Sequence, residues 1–173
     1  MLYARVPKEI RYVFYIFMND ISPLIAALQD TTIKKRLAAA RALGVPGDSS
    51  AVHPLVQALS DPHPKVRSEA AHALGRLDDS EAVPGLIAAI PDPDPEVRAA
   101  VIAALGRLKD RRAVEPIIRC LNDREVMIRI GAAEVLGRLG DSRAIKPLRR
   151  LANDPFSDVR ESAELTIKKL SKK

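Results

Sequence analysis

At 173 residues the chain has the size of a single domain, and 47% hydrophobic with 29% charged residues is an ordinary balance for a water-soluble protein. Its net charge of +6 and pI near 9.7 bear on association and solubility, and only weakly indicate a polyanionic partner. One cysteine, Cys120, excludes an internal disulfide, and the longest strongly apolar run, residues 12–18, is shorter than a membrane span, so we expect a cytoplasmic protein without a membrane segment.

Residues 1–20 are predicted to form an N-terminal capping helix or a degenerate half-repeat. Five of the six aromatic residues lie here, and they would cover the exposed end of a helical stack: Tyr3, Tyr12, Phe14, Tyr15 and Phe17. The alternative is a surface for self-association or partner docking, because an aromatic cluster left in water is an exposed apolar patch. We therefore expect a monomer or a weak dimer formed through this segment. Met18 is an alternative start of the chain.

From residue 21 onward the sequence repeats every 31 residues, in copies at 21–50, 51–81, 82–112, 113–143 and 144–173. One aspartate falls in phase in every copy: Asp30, Asp61, Asp92, Asp123 and Asp154. A period of this length predicts stacked supersecondary units rather than one compact core. The expected fold is an all-α solenoid, an alpha-alpha superhelix of about five antiparallel helix pairs.

The first helix of each pair, helix A, shows apolar residues at spacings of three and four, as in Val52, Leu55, Val56 and Leu59. That spacing is one face of an α-helix. A proline falls in phase in its first turn, except where Gly85 replaces it. Serines stand directly ahead of helix A as candidate caps: Ser50, Ser80 and Ser142.

The second helix, helix B, follows a turn rich in Asp and Pro, and Pro64 and Pro95 suit its first position. A glycine falls in phase near its end and suits close packing or a fraying last turn: Gly44, Gly75, Gly106 and Gly137. An arginine series also falls in phase, and each copy holds an aspartate six residues earlier: Arg67, Arg98, Arg129 and Arg160. We expect structural Asp–Arg pairing within or between repeats.

The last copy carries Arg149, Glu164 and Lys168 where inner copies have apolar residues or glycine. A terminal repeat with a polar outer face closes a solenoid. Residues 21–173 are therefore predicted to be one repeat array with a polar C-terminal capping repeat.

Three motifs recur at this period: A-V-x-P-L/I, D-P-x-P-x-V-R and A-A-x-A-L-G-R-L. With them the chain resembles the HEAT-like repeats of the phycobilisome-lyase type, over about residues 21–173. The resemblance implies an armadillo-like α-solenoid whose B helices line the concave face. The family includes bilin lyase subunits, deoxyhypusine hydroxylases and protein scaffolds, so it specifies the fold better than the function.

Helix-B positions that vary between copies form a second stripe, offset from the core stripe and expected on the exposed side. Its apolar centre and charged rim are typical of a protein or peptide interface. The candidate partner-binding residues are Lys65, Glu69, His72, Arg76, Glu96, Ala99, Ala100, Ala103, Arg107, Met127, Ile130, Glu134, Arg138, Leu165 and Lys169. Nucleic-acid binding is the alternative, although acidic residues interrupt the surface and no aromatic residue is available there to stack a base.

Nothing in the sequence indicates catalysis, a metal or a cofactor. Deoxyhypusine hydroxylases hold iron with His-Glu dipeptides, and this sequence contains none; its histidines, His53, His63 and His72, lie in a single copy. Cys120 is expected to be a small buried residue rather than a nucleophile. We therefore predict a non-enzymatic scaffold. The alternative, which only the family resemblance suggests, is a bilin lyase-like or enzyme-associated subunit.

Overall fold

A computed structural model describes residues 20–45 and 49–172, and over those ranges the chain is helical, with short 3₁₀ turns and no β-strand. The A helices are α1 (Ser22–Ala27), α3 (Val52–Ala58), α5 (Val83–Ala88), α7 (Val114–Cys120) and α9 (Ile145–Arg150). The B helices are α2 (Ile33–Leu43), α4 (Pro64–Leu77), α6 (Pro95–Leu108), α8 (Val126–Leu139) and α10 (Ser157–Leu170). The predicted all-α solenoid of five helix pairs is confirmed.

The starts of α5, α7 and α9 are organised by an aspartate rather than by a serine. The side chains of Asp79, Asp110 and Asp141 each accept a hydrogen bond from the backbone N–H two residues later, which opens a 3₁₀ turn. The α-helix begins only after that turn, so the residue at the cap of α5 and α9 is alanine, without a side-chain cap bond. The prediction that Ser80 and Ser142 cap these helices is wrong for that reason.

The B helices begin and end as the turn chemistry requires. Pro64 and Pro95 occupy the first positions of α4 and α6, as predicted, since the missing N–H of proline is tolerated there. α4, α6 and α8 all end on a residue in the left-handed conformation, namely Asp78, Lys109 and Gly140.

The in-phase glycines allow neighbouring B helices to approach closely. A Cβ atom on Gly75 would lie 3.0 Å from the Cα of Ala104, and one on Gly106 would lie 2.7 Å from a methyl group of Val135. Gly85 interrupts the proline series for a similar reason, because a Cβ there would lie 2.6 Å from Val56 of the preceding repeat. Of the two alternatives for the in-phase glycine, close packing is confirmed.

An Arg–Asp ladder runs between the repeats. Arg67 donates through Nε and Nη2 to both carboxylate oxygens of Asp92, 2.7 and 2.8 Å away, and through Nη1 to the backbone carbonyl of Asp61 at 3.0 Å. The same two-pronged bond, always to the aspartate 25 residues later, joins three more pairs: Arg36 to Asp61, Arg98 to Asp123 and Arg129 to Asp154. The predicted Asp–Arg pairing is confirmed for Arg67, Arg98 and Arg129, and it joins adjacent repeats. Arg160, in the last copy, instead donates to the backbone carbonyls of Asp154 and Pro155.

The structure describes the C-terminal repeat of the array but not residues 1–19. Arg149, Glu164 and Lys168 are exposed, and Glu164 pairs with Lys168 at 2.8 Å, so the last repeat does present a polar face. Its role as a cap stays a prediction. The aromatic residues predicted to cap or dock at the N-terminus, within residues 1–19, lie outside the described residues. None of the described helices has the length and apolar character needed to cross a membrane.

Candidate functional site

The B helices form a continuous layer on one side of the molecule. Each of α2, α4, α6 and α8 packs directly on the next B helix, whereas successive A helices meet only sparsely. Closer packing on the B side is what a stack that curves toward its B helices requires. The concave surface implied by the family resemblance stays a prediction. The predicted partner-binding stripe lies on this layer.

The stripe is mostly exposed. Ten of its fifteen residues are exposed: Lys65, His72, Glu96, Ala99, Arg107, Met127, Glu134, Arg138, Leu165 and Lys169. Glu69, Arg76, Ala103 and Ile130 are half-buried. Ala100 is the exception, since it is 2% exposed and belongs to the core. Its assignment to the exposed surface is corrected, because the close contact between adjacent B helices covers that helix face.

Two charged residues in the N-terminal part of the stripe, Glu69 and Arg76, are paired within the fold. Glu69 accepts a hydrogen bond from Arg41 and another from Arg76, both at 3.1 Å. Burial of Glu69 by itself raises the pKa of its carboxyl, but the hydrogen bonds from the two arginines outweigh burial and hold that pKa below its usual value. Arg76 also donates to the backbone carbonyl of Gly44 at 3.3 Å. These hydrogen bonds hold α2 against α4.

Basic residues at the C-terminal ends of the B helices form a column. They have fewer hydrogen bonds and ion pairs toward the end of the chain. Arg107 donates Nε to the carbonyl of Gly75 at 3.2 Å. Arg138 approaches Glu134 at only 3.9 Å, and Lys169 has no ion pair within residues 20–45 and 49–172. Arg138 and Lys169 are therefore the two members of this column without a short bond to another described residue.

A groove lies there, between α8 and α10, and we call it the α8–α10 groove. It consists of two adjoining cavities of about 250 and 270 Å³ that share Glu134, Leu165 and Thr166. Ile130, Asp158, Glu161 and Ser162 complete the first cavity. Gly137, Arg138 and Lys169 complete the second. One end of the groove thus holds Asp158 and Glu161, and its other end holds Arg138 and Lys169. Between them, the apolar Leu165 lies beside the exposed carboxylate of Glu134.

Two residues of α8 and α10 were not among the candidate binding residues, and of these only Ser162 is among the residues that line the groove. Gly131 lies inside α8, and the space that its Cβ would fill has no atom within 4 Å. The hydroxyl of Ser162 is buried and has no hydrogen-bond partner among the described residues. The repeat pattern could have indicated both residues. Gly131 and Ser162 occupy the same position in successive copies, and that position differs from the one of the packing glycines.

Other candidate chemistry in the described structure is limited. Across residues 20–45 and 49–172, no group of three or more His, Cys, Asp or Glu is placed to hold a metal ion. Cys120 is buried as predicted, and burial raises the pKa of its thiol to about 11. The aromatic ring of Phe156 lies in the turn ahead of α10, beneath the guanidinium of Arg129 at 5.7 Å, and not on the stripe. The nucleic-acid alternative stays a prediction.

Comparison with known proteins identifies a repeat family. The family described as HEAT repeats matches residues 21–92 and 83–168. No curated protein matches the chain at a significant level of sequence similarity.

Among solved structures, the complex of CpcE and CpcF of phycocyanin lyase from Nostoc sp. PCC7120 contains a similar chain, with 31% identity and a TM-score of 0.75 over 87% of this chain. This chain spans 64% of the length of that lyase chain. A designed armadillo repeat protein in complex with peptide (KR)4 is 17% identical, with a TM-score of 0.67, and the match covers 92% of this chain and 85% of that one. At such low identity the second likeness concerns the fold alone.

Proposed function

Since this chain belongs to the HEAT-repeat family, we propose that it is a non-enzymatic scaffold that binds a protein or peptide partner on its concave B-helix surface. One observation carries the proposal: the exposed large apolar side chains Met127 and Leu165 both lie on this surface, 72% and 59% exposed. Charged side chains surround them, and an apolar centre with a polar rim is the usual anatomy of an interface.

The choice of surface also follows from what varies between repeats. The buried positions keep the same residue types from copy to copy, because stacking fixes them. Met127 stands where other copies have Lys65, Glu96 and Asp158. Leu165 stands where they have His72, Ala103 and Glu134. Since packing does not require apolar residues at these positions, binding is the better reason for them.

A pair of matched variants tests the proposal. Ala99→Arg adds a charge to the exposed centre of the concave stripe, and Gln57→Arg adds the same charge to an exposed position on helix α3, away from it. After capture of partners by the wild-type chain and identification by mass spectrometry, binding to Ala99→Arg should fall while binding to Gln57→Arg is retained. Equal binding by both variants, with unchanged helix content, would place the partner site elsewhere.

A second candidate is a subunit of a lyase-type complex that handles bilins. The observation in its favour is the 31% identity to a chain of the CpcE and CpcF complex, over 87% of this chain. Titration of a phycobilin with the protein, followed by visible absorption, tests it. A shifted and saturable absorption band supports the candidate, and an unchanged spectrum at high protein concentration removes pigment binding by this chain alone.

A further inference from the structure

The last arginine of the Arg–Asp ladder is held in the same way as the others. Arg160 donates Nη1 to the backbone carbonyls of Asp154 and Pro155, at 2.7 and 3.1 Å. Arg129, one repeat earlier, makes the same two bonds within its own turn, and its Nε and Nη2 then hold the carboxylate of Asp154. Nε and Nη2 of Arg160 have no carboxylate partner among the described residues. The guanidinium of Arg160 therefore has the orientation in which its equivalents bind a carboxylate with two parallel bonds.

A groove between the two helices of the last repeat lies beside Arg160, and we call it the α9–α10 groove. It has a volume of about 380 Å³. Its apolar residues come from both helices: Leu148, Ala152, Ala163 and Ile167. The equivalent residues one repeat earlier are all buried: Ile117, Leu121, Ala132 and Leu136. The groove thus corresponds to a surface that is covered in the inner repeats.

The charges of the groove favour an acidic ligand. Arg149 and Arg160 line it, and neither has an ion pair with another described residue. Glu164 also lines it, but its carboxylate pairs with Lys168 at 2.8 Å. A ligand in the groove therefore meets two arginines without a carboxylate and one carboxylate that already has a cation.

Lys168 limits what can occupy the groove. It stands where the inner copies have a glycine, and a Cβ on Gly75 would lie 3.0 Å from the Cα of Ala104 in the next B helix. Lysine carries that Cβ and a long side chain, so a helix packed on α10 as the inner B helices pack on each other would collide with it. A second copy of this chain therefore cannot add its first repeat here in the manner of the inner repeats. A turn or an extended segment is narrow enough.

The ladder shows what kind of segment presents a carboxylate to such an arginine. Asp61, Asp92 and Asp123 each lie in a turn, where the carboxylate also accepts the backbone N–H two residues later. Each follows an apolar residue by two positions, and these residues are buried or half-buried: Leu59, Ile90 and Leu121. An apolar residue two positions before an acidic one is therefore the pattern that fits an arginine beside an apolar groove.

We propose that the α9–α10 groove is a docking site for an acidic segment of a partner protein. A carboxylate of the segment binds Nε and Nη2 of Arg160, Arg149 adds a second positive charge, and an apolar residue two positions earlier packs on Ala152 and Ile167. The site lies apart from the predicted partner-binding stripe and does not depend on it. It gives the chain a second contact point, at the end of the described array.

A phage-displayed library of random heptapeptides, selected on the full-length chain, tests the assignment. The selected peptides should share an acidic residue two positions after an apolar one. Their binding should weaken about tenfold or more on Arg160→Gln, as expected for the loss of hydrogen bonds between charged groups. Arg119→Gln is the matched control, since it removes the same charge from an exposed position of α7, and it should bind them as the wild type does.

Arg160→Lys separates the paired hydrogen bonds from simple charge attraction. Lysine keeps the charge but lacks the planar pair of N–H groups, so peptide binding should weaken on this variant as well. Arg149→Gln should weaken binding severalfold and decides the matter if circular dichroism shows that the Arg160 variants do not fold. Equal binding by wild type and Arg160→Lys, unchanged binding by Arg149→Gln, selected peptides without an acidic residue, or a selection that enriches nothing would each overturn the assignment.

Two further measurements identify other occupants. Sedimentation that shows self-association of the wild type but not of Arg160→Gln would make a second copy the occupant, and the assignment to a partner would be wrong. Peptides that lose binding to Ala99→Arg but bind Arg160→Gln normally would belong to the stripe, so the scaffold proposal would stand while the groove assignment falls. Peptides that bind Ala99→Arg normally and lose binding to Arg160→Gln support the groove, whatever the outcome for the stripe.

Discussion

At the scale of single residues, Gly131 gives the sharpest prediction. Because nothing lies within 4 Å of its missing Cβ, Gly131→Ala should raise the free energy of unfolding by about 0.5 to 1 kcal/mol, the difference in helix propensity. Chemical denaturation followed by circular dichroism measures it. The control is Gly106→Ala, where the new Cβ would meet Val135 at 2.7 Å and should cost about 1 to 3 kcal/mol through overpacking. Equal effects of the two substitutions would contradict this account.

Cys120 is predicted to be chemically inert in the folded protein. Its side chain is 6% exposed, its Sγ lies 3.5 Å from the carbonyl oxygen of Pro116, and burial raises the pKa of the thiol to about 11. Since the thiolate is the reactive form, the native protein should react slowly with Ellman's reagent at pH 8 and rapidly once unfolded in urea. Complete reaction of the native protein within seconds would show that the site opens.

At the scale of helices and the contacts between them, the Arg–Asp ladder leads to a prediction for the pair of Arg67 and Asp92. Asp92→Ala leaves the guanidinium of Arg67, whose side chain is 13% exposed, without its carboxylate. Removing one partner of a largely buried pair should cost about 3 kcal/mol. Equilibrium denaturation measures the loss. The comparison is Asp94→Ala, also an aspartate in the α5–α6 turn but outside the ladder, which removes only a helix cap worth about 1 kcal/mol.

The ladder also predicts how stability depends on pH. Burial of Asp61, Asp92 and Asp123 by itself raises the pKa of each carboxyl, but hydrogen bonds from the arginines and the backbone outweigh it and lower each pKa. A carboxyl group whose pKa is lower in the folded than in the unfolded protein stabilises the fold at pH values above its unfolded pKa of about 4. This stabilisation is lost as the pH falls through the pKa of the folded state. The urea midpoint should therefore drop between pH 5 and pH 2, and less steeply for Asp92→Asn. An unchanged midpoint over that range would contradict it.

At the scale of the whole molecule, stability is carried by the contacts between neighbouring repeats. α1 contains no buried residue, unlike α3, α5 and α7, so the first A helix packs less of its surface than the inner ones do. If residues 1–20 cap the stack, deletion of residues 1–17 should loosen mainly the first repeat, because a solenoid's stability is nearly a sum over neighbours. Hydrogen exchange should then become fast at about residues 21–50 and stay slow in the middle repeats.

The same truncated protein tests the docking alternative for the N-terminal segment. Protection of residues 21–50 in the truncated protein, together with self-association of the full-length chain only, would make the aromatic residues a docking surface and the cap prediction wrong. Sedimentation at several concentrations measures the association.

The sequence by itself determined the repeat, the helix pairs and the series of residues that hold the repeats together. These features are periodic or local: apolar spacing defines a helix face, proline defines a helix start, and a glycine or arginine that returns every 31 residues has the same neighbours each time. The polar last repeat and the burial of Cys120 could be predicted for the same reason. Gly131 was visible too, as a glycine out of phase, but the sequence could not say that the space beside it is open.

Only the tertiary structure decided which partner each of these residues meets. Every copy but the last offers Arg67 or its equivalent two aspartates, one in its own repeat and one in the next. Stacking brings the carboxylate of the next repeat to the guanidinium, whereas the aspartate of its own repeat contributes only its backbone carbonyl. Ala99, Ala100 and Ala103 are the same residue type, yet the packing of α6 against the neighbouring B helices buries Ala100 and leaves Ala99 exposed. The α8–α10 groove likewise exists only between two helices, because its acidic, apolar and basic residues come from α8 and α10 together and are separated in the sequence by about one repeat.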